Sequence, residues 1–386
     1  MKLYDSHTET IFDFKPKKEA KIYVCGITPY DAAHLGHIFT FLVYDLISRL
    51  LIYRGLEVKL VRNITDVDEP IYVRAQEMGL DYRELARNQI DKFDLIMDKL
   101  GFLKPYQEPL ASSYIHQMAD NVASLVRTKY AYYVGEDIYF DIGKIQNYGK
   151  YFNLPPELLV KLLKKRGGNP ELSLKHNKLD FLLWRNIDDP NDSAKWQTPL
   201  GLGRPGWHIE CSVMTQEILG SPIDLHGGGN DLLFPHHESE IAQTRALHGN
   251  NLSKHWVHVA PLLLYGEKMS KSLGNLVFAE DILKQYKAQT LKLALMKYDY
   301  QVGGEWVHGY LDQAKILWDK LDHVSKFNRD NLEQLKFNLI KDLEDNLNTC
   351  QILNDLNYFL LNNDKKFEKS EELNKIYRQT LSLIGL

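Results

Sequence analysis

A strand, a long apolar helix and a second strand near the N-terminus constrain the fold more than any other feature. Residues 21–27, "KIYVCGI", form an apolar run that predicts a buried strand, and "EVKLVRNIT" predicts the next strand. Between them, "IFTFLVYDLISRLLIYRG" is apolar on most faces and ends at Gly55. A helix that is apolar nearly all round packs against a sheet, and strands joined by such a helix run parallel. We therefore predict an α/β fold with a parallel sheet.

Composition limits the class of protein. The chain has 386 residues, of which 44% are hydrophobic and 25% charged, which suits a large core divided among a few domains. The formal net charge of -4 argues against a protein that coats nucleic acid with a basic surface, although it does not exclude a local basic surface. The three cysteines include no CxxC pair. We see no signal peptide and no apolar run long enough to cross a membrane, so a cytoplasmic protein with reduced thiols is expected.

The loop "ITPYDAAHLGH" leads into the long helix and places His34 and His37 at its N-terminus. Free backbone N–H groups and the helix dipole favour an anion there. The imidazoles add hydrogen-bond donors, and Gly36 lets a ligand approach the backbone closely. A phosphate group fits this arrangement, while histidines that only cap the helix are the alternative interpretation.

The stretch "FPHHESEIAQT" places two histidines and two glutamates at a predicted helix start, with Pro235 at the first helical position. His236 and Glu240 are spaced to lie one turn apart on the same face. An imidazole and a carboxylate so placed can bind a divalent metal. The same pair can also be an ordinary capping and hydrogen-bonding arrangement, so the residues alone leave both interpretations open.

Thiolates would strengthen the metal interpretation. Cys25 lies in the first predicted strand, and Cys211 lies in "GRPGWHIECSVM", a Gly/Pro-punctuated segment that enters an apolar turn. Cysteines are most often small buried hydrophobic residues. We expect this of Cys350, in the amphipathic helical stretch "DLEDNLNTCQILNDL", and it stays the alternative for the other two.

Two further stretches fit a nucleotide site. "PIDLHGGGNDLLF" predicts a strand followed by a three-glycine turn, where absent side chains let a planar or phosphorylated ligand lie on the backbone. "LLLYGEKMSKSLGN" places Lys268 and Lys271 in a polar loop after an apolar strand. Two such lysines fit a mobile clamp for a polyphosphate, or they are simply solvated. Only the combination of motifs decides.

The combination of "HLGH" near the N-terminus with "KMSKS" far downstream resembles the paired signature of class I aminoacyl-tRNA synthetases. The stretches "YVCGITPYDAAHLGH", "NITDVDEP", "GRPGWHIECSVM" and "HGGGNDLLFPHHESEIAQ" are similar to those of the cysteine-specific branch, the cysteinyl-tRNA synthetases. They follow the order of that family, and the resemblance runs from about Leu3 to the C-terminus. It implies a Rossmann-type nucleotide-binding domain.

The resemblance also implies a catalytic zinc site with one Zn²⁺ per chain. Its ligands in this sequence would be Cys25, Cys211, His236 and Glu240. Thiolates with an imidazole and a carboxylate suit zinc, and the thiolate of substrate cysteine can join as a further ligand. Because the hydroxyl of serine is a poorer ligand, such a site rejects serine strongly, and no editing domain is expected.

In this family ATP with Mg²⁺ is the co-substrate, and the resemblance implies that the cysteine carboxylate attacks the α-phosphate. The histidines of "HLGH" would stabilise the developing charge, and the lysines of "KMSKS" would close over the pyrophosphate. The predicted catalytic residues are His34, His37, Lys268 and Lys271. The predicted nucleotide-binding residues are Gly36, Gly227, Gly228, Gly229, Asp231 and Lys271. The cysteine pocket is predicted to include Trp207, Thr65 and Gly26, with core packing as the alternative for the tryptophan.

Two departures from the family concern the acceptor of the activated cysteine. Glu69 and Pro70 follow "NITDVD", where a synthetase would have a lysine, and the chain ends with the helical stretch "LSLIGL", where bacterial cysteinyl-tRNA synthetases generally continue into a small anticodon-reading module. The related mycothiol-pathway ligases, which pass activated cysteine to the amine of glucosaminyl-inositol, end near the same place. The proline in "DEP" and the "ITPYD" loop favour the mycothiol-type ligase, whereas Glu240 and "HHESEIAQT" favour the tRNA ligase.

We therefore predict an enzyme that activates L-cysteine with ATP to cysteinyl-adenylate and transfers it to tRNA(Cys), held mainly by its acceptor stem. Transfer to the amine of an amino-sugar inositol is the alternative. No membrane partner is expected, and the protein is predicted to be a monomer. A catalytically inactive binding module is disfavoured because the nucleotide and metal motifs are intact.

The predicted organisation has five segments. They are the first half of the catalytic domain (1–115), a connective insertion (116–198), the second half with the zinc site (199–262), a connector with the "KMSKS" loop (263–310) and a helical bundle (311–386). ATP is expected at the C-terminal ends of the parallel strands, at the switch point between the halves.

Overall fold

The computed structural model describes residues 1–269, 273–362 and 370–386. The first part of the chain contains a small hairpin, two strands of the central sheet and the helices around them. These elements are β1 (Lys2–Asp5), β2 (Thr10–Asp13), β3 (Glu19–Ile27), α1 (Leu35–Tyr53), β4 (Glu57–Ile64), α2 (Glu69–Met78), α3 (Tyr82–Leu100) and α4 (Ile115–Arg127). Strands β3 and β4 pair in parallel, as the strand–helix–strand pattern predicted.

The next segment forms an antiparallel sheet of its own. Its elements are β5 (Ala131–Val134), β6 (Asp137–Phe140), α5 (Pro156–Lys165), β7 (Phe181–Asn186), β8 (Trp196–Thr198) and β9 (Gly201–Pro205). The strands lie in the order β5-β6-β7-β9-β8. The predicted segment boundary between residues 198 and 199 falls in the turn between β8 and β9, which pair with each other. The antiparallel sheet therefore continues past that boundary.

The chain then returns to the parallel sheet. This part contains α6 (Trp207–Leu219), β10 (Ile223–Gly229), α7 (Glu238–His248) and β11 (Ser253–Val259). Strand β10 pairs in parallel with β3 on one side and β11 on the other, which gives the order β11-β10-β3-β4. The prediction of a Rossmann-type parallel sheet split by an insertion is confirmed.

Short strands and helices complete the chain. They are β12 (Leu262–Leu264), β13 (Glu267–Lys268), α8 (Ala279–Leu283), α9 (Ala288–Leu295), β14 (Gly304–Glu305), α10 (Gly309–Asp322), α11 (Arg329–Glu344), α12 (Thr349–Asn362) and α13 (Glu371–Ser382). Helices α10 to α13 form the predicted C-terminal bundle. Cys350 is exposed on α12 while Ile352 and Leu353 are buried, so the expectation that this cysteine is a buried residue is wrong.

Helix α1 lies in the main core against the parallel sheet. The Tyr44 hydroxyl in its middle donates a hydrogen bond to the Val257 carbonyl of β11 at 2.7 Å. By length and composition alone this helix is apolar enough to cross a membrane, contrary to the expectation from the sequence. However, 78% of the apolar stretch in this helix is buried inside the fold, so core packing accounts for its composition.

Glycines 227–229 are the last residues of β10, so the predicted three-glycine turn is wrong. A Cβ at Gly227 would lie 1.8 Å from the Val257 carbonyl oxygen and 2.2 Å from the Tyr44 hydroxyl. Strand β11 and helix α1 therefore approach this backbone more closely than a side chain allows. The turn comes one residue after β10, at Asn230–Leu232.

Candidate functional site

The predicted motifs meet at one edge of the parallel sheet. The carboxyl ends of parallel strands lie at the same edge, which is where such folds bind their ligands. Cys25 lies near the end of β3, and Gly229 ends β10. His34 caps the N-terminus of α1 at the same edge. The topology thus brings together residues that are far apart in the sequence.

Cys25, Cys211, His236 and Glu240 form a buried cluster in which one ligand atom of each residue lies within 4.8 Å of the others. The two sulfur atoms are 3.8 Å apart, and the Cys25 Sγ lies 3.9 Å from the Glu240 Oε1. The His236 Nε2 lies 3.1 Å from the same oxygen. These separations suit ligands around one ion with bonds of about 2.0–2.3 Å.

Local structure explains how the sequence places these side chains. Cys211 lies in helix α6 and not in the turn predicted for it. Helix α7 begins at Glu238, after an irregular helical segment, Leu233–His237, that is interrupted by the extended backbone of Phe234. The prediction that Pro235 starts the helix is therefore displaced by three residues. The contact expected between His236 and Glu240 is nevertheless present.

Burial disfavours the charged forms of the acidic side chains in this cluster. It raises the pKa of the Cys25 thiol and of the Glu240 carboxyl well above their usual values. Burial and, after it, neighbouring imidazoles lower the pKa of His236, so this ring is neutral and able to act as a ligand. Thiolate and carboxylate groups without a compensating cation are costly to bury. The donor set therefore fits a soft divalent cation, and zinc is the common ion with this preference.

Several histidines that were not predicted as ligands lie beside the cluster, and the Nδ1 of one of them, His208, lies 3.0 Å from the His236 Nδ1. His226 Nε2 is 2.9 Å from the second carboxylate oxygen of Glu240, and His237 Nε2 is 3.3 Å from the Cys25 Sγ. His237 Nδ1 in turn contacts the His258 Nε2 at 2.6 Å. His226 and His237 form a second possible ligand set with Cys25 and Glu240. The first set is softer because it has two sulfur atoms, and hydrogen-bonded imidazoles behind a ligand carboxylate are typical of metal sites.

His34 and His37 lie where the sequence placed them. The Nδ1 of His34 accepts a hydrogen bond from the Gly36 N–H at 3.1 Å, so the ring caps the helix while its Nε2 carries the proton. The two rings stack with centroids 3.9 Å apart. Burial first, and then the charge of Lys268, lowers the pKa of His34 to about 4. Burial first, and then the neighbouring His34 ring, lowers the pKa of His37 well below its usual value. Both are therefore neutral hydrogen-bond donors at neutral pH.

Asp231 lies at the centre of a small ionic cluster. Its Oδ2 is 3.0 Å from the Lys268 Nζ and also pairs with the Arg166 guanidinium. Burial raises the pKa of Asp231, but the charges of Lys268 and Arg166 outweigh that effect and hold it well below its usual range. Lys271, predicted to bind pyrophosphate, lies outside the described residues. Arg166 was missed because nothing in "KKRGG" distinguishes it from its neighbours.

The three residues predicted for the cysteine pocket have different surroundings. Trp207 is only partly buried and stacks on the His236 ring at 4.2 Å, so it forms a wall beside the cluster. Thr65 is buried, and its hydroxyl accepts a hydrogen bond from the Asn63 side chain at 3.0 Å. A Cβ at Gly26 would lie 1.7 Å from the Asn63 carbonyl oxygen. Close strand packing thus explains this glycine, and direct substrate contact stays a prediction for all three.

Comparison with known proteins supports the interpretation of these motifs. Residues 11–316 match the family described as tRNA synthetases class I (C) catalytic domain. The chain is 35% identical over 401 aligned positions to "Cysteine--tRNA ligase" of Thermodesulfovibrio yellowstonii, covering 97% of this chain and 81% of that protein. It is 40% identical over 315 positions to "L-cysteine:1D-myo-inositol 2-amino-2-deoxy-alpha-D-glucopyranoside ligase" of Nocardiopsis dassonvillei, covering 81% of this chain and 77% of that protein.

Solved structures agree at the level of the fold. Mycobacterium tuberculosis methionyl-tRNA synthetase in complex with methionyl-adenylate matches with a TM-score of 0.60 and 15% identity, over 95% of this chain and 89% of that chain. The LeuRS-tRNA-LeuAMS ternary complex from Agrobacterium radiobacter matches with a TM-score of 0.67 and 11% identity, over 97% of this chain and 84% of that chain. At these identities the likeness concerns the fold alone.

Proposed function

The chain belongs to the tRNA synthetases class I (C) catalytic domain family, and from this membership we propose that it activates L-cysteine with ATP to cysteinyl-adenylate and transfers the cysteine to tRNA(Cys). The observation that carries the proposal is the buried cluster of Cys25, Cys211, His236 and Glu240 next to the histidines at the start of α1. A thiol-binding site and an anion-binding helix N-terminus at one sheet edge suit a thiol-containing carboxylic acid and a nucleotide.

We propose that the four-residue cluster holds one zinc ion. When bound, the ion would supply a Lewis-acid site for the substrate thiolate and so select cysteine over serine. The chain's own residues hold and orient it: His226 bonds the second oxygen of Glu240, and Trp207 stacks on the His236 ring. Both contacts limit the movement of ligand side chains, which is the usual role of such partners.

The nucleotide side of the site works by positioning and charge. The cysteine carboxylate would attack the α-phosphate while pyrophosphate departs, and no protein nucleophile is required. His34 and His37 act as neutral donors to the phosphoryl oxygens at the helix N-terminus, and Lys268 supplies positive charge. Mg²⁺ would accompany the ATP, and Lys271 is proposed to act with Lys268. Glycines 227–229 and Asp231 are proposed to border the adenosine.

Two relatives favour tRNA as the acceptor. The cysteine–tRNA ligases of Thermodesulfovibrio yellowstonii and of Prochlorococcus marinus strain NATL1A align over 97% and 93% of this chain, which includes most of its helical bundle, whereas that of strain NATL2A aligns over 80%. The amino-sugar inositol ligase of Nocardiopsis dassonvillei aligns over 81%. Its 40% identity, against 35% and 36% for the two tRNA ligases, keeps transfer to a small amine as the second candidate. The five predicted segments, a monomeric state and a cytoplasmic location belong to the same proposal.

Transfer of cysteine to tRNA is expected to depend strongly on salt and only weakly on the anticodon. Helices α10, α11 and α13 of the C-terminal bundle mix acidic and basic residues, so the tRNA would be held mainly through backbone phosphates of its acceptor stem. The measurement is the charging rate with native and anticodon-altered tRNA at two salt concentrations. A panel of amines, including an amino-sugar inositol, is tested beside them.

The outcomes separate the two acceptors. Charging that survives an altered anticodon and weakens at high salt supports the acceptor-stem proposal. Charging that collapses when only the anticodon changes contradicts it. Normal adenylate formation with no charging of any tRNA, and turnover only with an amino-sugar acceptor, would assign the function to the small-molecule ligase.

A further inference from the structure

Arg166 extends from the insertion into the cleft of the catalytic domain. It is the residue that caps the C-terminus of α5, and its side chain is 30% exposed. The guanidinium pairs with the Asp231 carboxylate and donates a second hydrogen bond to the Asp231 carbonyl at 3.3 Å. Its central carbon lies 5.9 Å from the Trp207 ring, within range of a cation–π contact. The side chain thus bridges the insertion and the site.

Packing fixes the end of α5 in this position. Leu159 and Leu163 of the helix form a buried cluster with Phe234, which is two residues before the metal-ligand candidate His236. The Arg166 N–H also closes the helix by donating to the Leu162 and Leu163 carbonyls. Because the helix is anchored to the segment that carries His236, the guanidinium has a defined place relative to the cluster.

The charges around Asp231 do not balance. Arg166 and Lys268 both pair with this one carboxylate, which leaves one positive charge uncompensated within the group of three. The neutral rings of His34 and His37 sense the charges of Lys268 and Asp231, so they lie near the same place. Asp31 is a second carboxylate near the His34 ring, and the two cations and two neutral donors beside Asp231 form a site that can accept a further anion.

We propose that Arg166 is a further catalytic residue, supplied by the insertion, that binds the anionic centre where the cysteine carboxylate meets the α-phosphate. This inference rests on the proposed function. The contacts of Arg166 support this assignment, because its guanidinium faces Trp207, which stacks on His236 of the metal-ligand cluster, and shares the Asp231 carboxylate with Lys268. In the free enzyme the Arg166 guanidinium binds the Asp231 carboxylate, and the substrate anion would take the place of that carboxylate.

The step balances without proton transfer to the protein. A carboxylate oxygen of cysteine forms a bond to the α-phosphorus, and the bond from that phosphorus to the oxygen bridging the β-phosphate breaks. Pyrophosphate leaves with the electron pair. Negative charge accumulates on the non-bridging oxygens of the α-phosphoryl group, where the planar N–H donors of Arg166 can bind two oxygens at once.

Arg166→Ala is expected to lower cysteine-dependent ATP–pyrophosphate exchange by roughly ten- to a thousandfold, the range for loss of one donor to a transition-state oxyanion. Arg166→Lys should recover only part of the rate, because an ammonium lacks the planar pair of donors. Lys164→Ala, which removes an exposed cation two residues earlier on α5, should leave the rate unchanged. Thermal unfolding and metal content, measured on each variant, identify any loss of folding.

A double-substitution experiment separates catalysis from neutralisation of Asp231. If Arg166 only neutralises that carboxylate, Arg166→Ala should be harmless in an Asp231→Asn background. We expect the loss to persist there. Arg166→Ala should also weaken binding of a non-hydrolysable sulfamoyl analogue of cysteinyl-adenylate about tenfold or more, with adenosine binding unchanged. Calorimetry of the two ligands provides this comparison without turnover.

A failure of the role proposed for Arg166 can be distinguished from a failure of the proposed function. If the wild type and Arg166→Ala exchange pyrophosphate at the same rate and bind the analogue equally well, Arg166 has no catalytic role. The proposed function would stay intact in that case. A loss that disappears in the Asp231→Asn background also overturns the role of Arg166. Wild-type protein with no cysteine-dependent exchange overturns the proposed function and this inference together.

Discussion

Replacing Cys211 by serine is expected to remove the bound metal and to lower cysteine-dependent ATP–pyrophosphate exchange by about a thousandfold or more. The Cys211 Sγ lies 3.8 Å from the Cys25 Sγ in the buried cluster, so a hydroxyl there would replace one of two soft ligands. A metal contact to a reacting substrate is worth several kcal/mol, and a loss of about 4 kcal/mol corresponds to about a thousandfold in rate.

Cys350→Ser is the matched control because it makes the same chemical change at an exposed cysteine on α12. Metal content by elemental analysis and exchange rate should both match those of the wild type. The cluster would not be the metal site if Cys211→Ser retained a full equivalent of zinc together with the wild-type exchange rate.

Replacing His37 by alanine is expected to reduce the same exchange reaction by roughly ten- to a thousandfold, with little change in the binding of cysteine. His37 stacks on His34 at the N-terminus of α1, and burial, followed by the neighbouring His34 ring, lowers its pKa. The ring is therefore a neutral donor, and its contribution should appear when charge develops on the phosphoryl oxygens. Pre-steady-state kinetics of adenylate formation measure this step directly.

His116→Ala is a suitable control, since His116 is an exposed histidine on α4 and belongs to none of the site motifs. That variant should keep the wild-type rate and unfolding temperature. An unchanged rate of adenylate formation in folded His37→Ala protein would remove this histidine from the proposed mechanism.

The parallel sheet could be predicted from local sequence because a helix that is apolar nearly all round must be buried, and the strands on either side of it provide a sheet for it to pack against. Strands β3 and β4 and helix α1 lie within a few residues of their predicted limits. The prediction for glycines 227–229 was wrong because glycine suits both a turn and a strand that is closely approached by its neighbours. Only the pairing with β11 and the approach of Tyr44 distinguish the two cases.

The candidate site was predictable where residues act within one motif or by resemblance to a family. His236 and Glu240 are one turn apart, and the structure brings Cys25 and Cys211 to the same place. His226, His258 and Arg166 reach the site from other elements, and no local spacing marks them. The prediction for Cys350 was wrong for a related reason. Cysteine can lie at the edge of the apolar face of an amphipathic helix, and the packing of neighbouring helices decides whether such a residue is buried.

Arg166 also illustrates how the insertion is tied to the chemistry. Its helix packs on Phe234, and its guanidinium contacts Asp231, so one side of the cleft is formed by a segment outside the parallel sheet. A rigid contact of this kind positions a charged group more accurately than a surface loop does. We expect substitutions of Leu159 or Leu163 to affect adenylate formation through the position of this arginine.

The most direct test of cysteine activation at a metal–thiolate site is ATP–pyrophosphate exchange by the wild-type protein with cysteine and with serine. Each amino acid is assayed before and after removal of the metal by a chelator and after its restoration with zinc. Cysteine should support exchange only with the metal present, and serine should be slower by a factor on the order of ten thousand, as for sites built around one specific substrate bond. Full cysteine-dependent exchange by metal-free protein, or comparable exchange with serine, would contradict the proposed site.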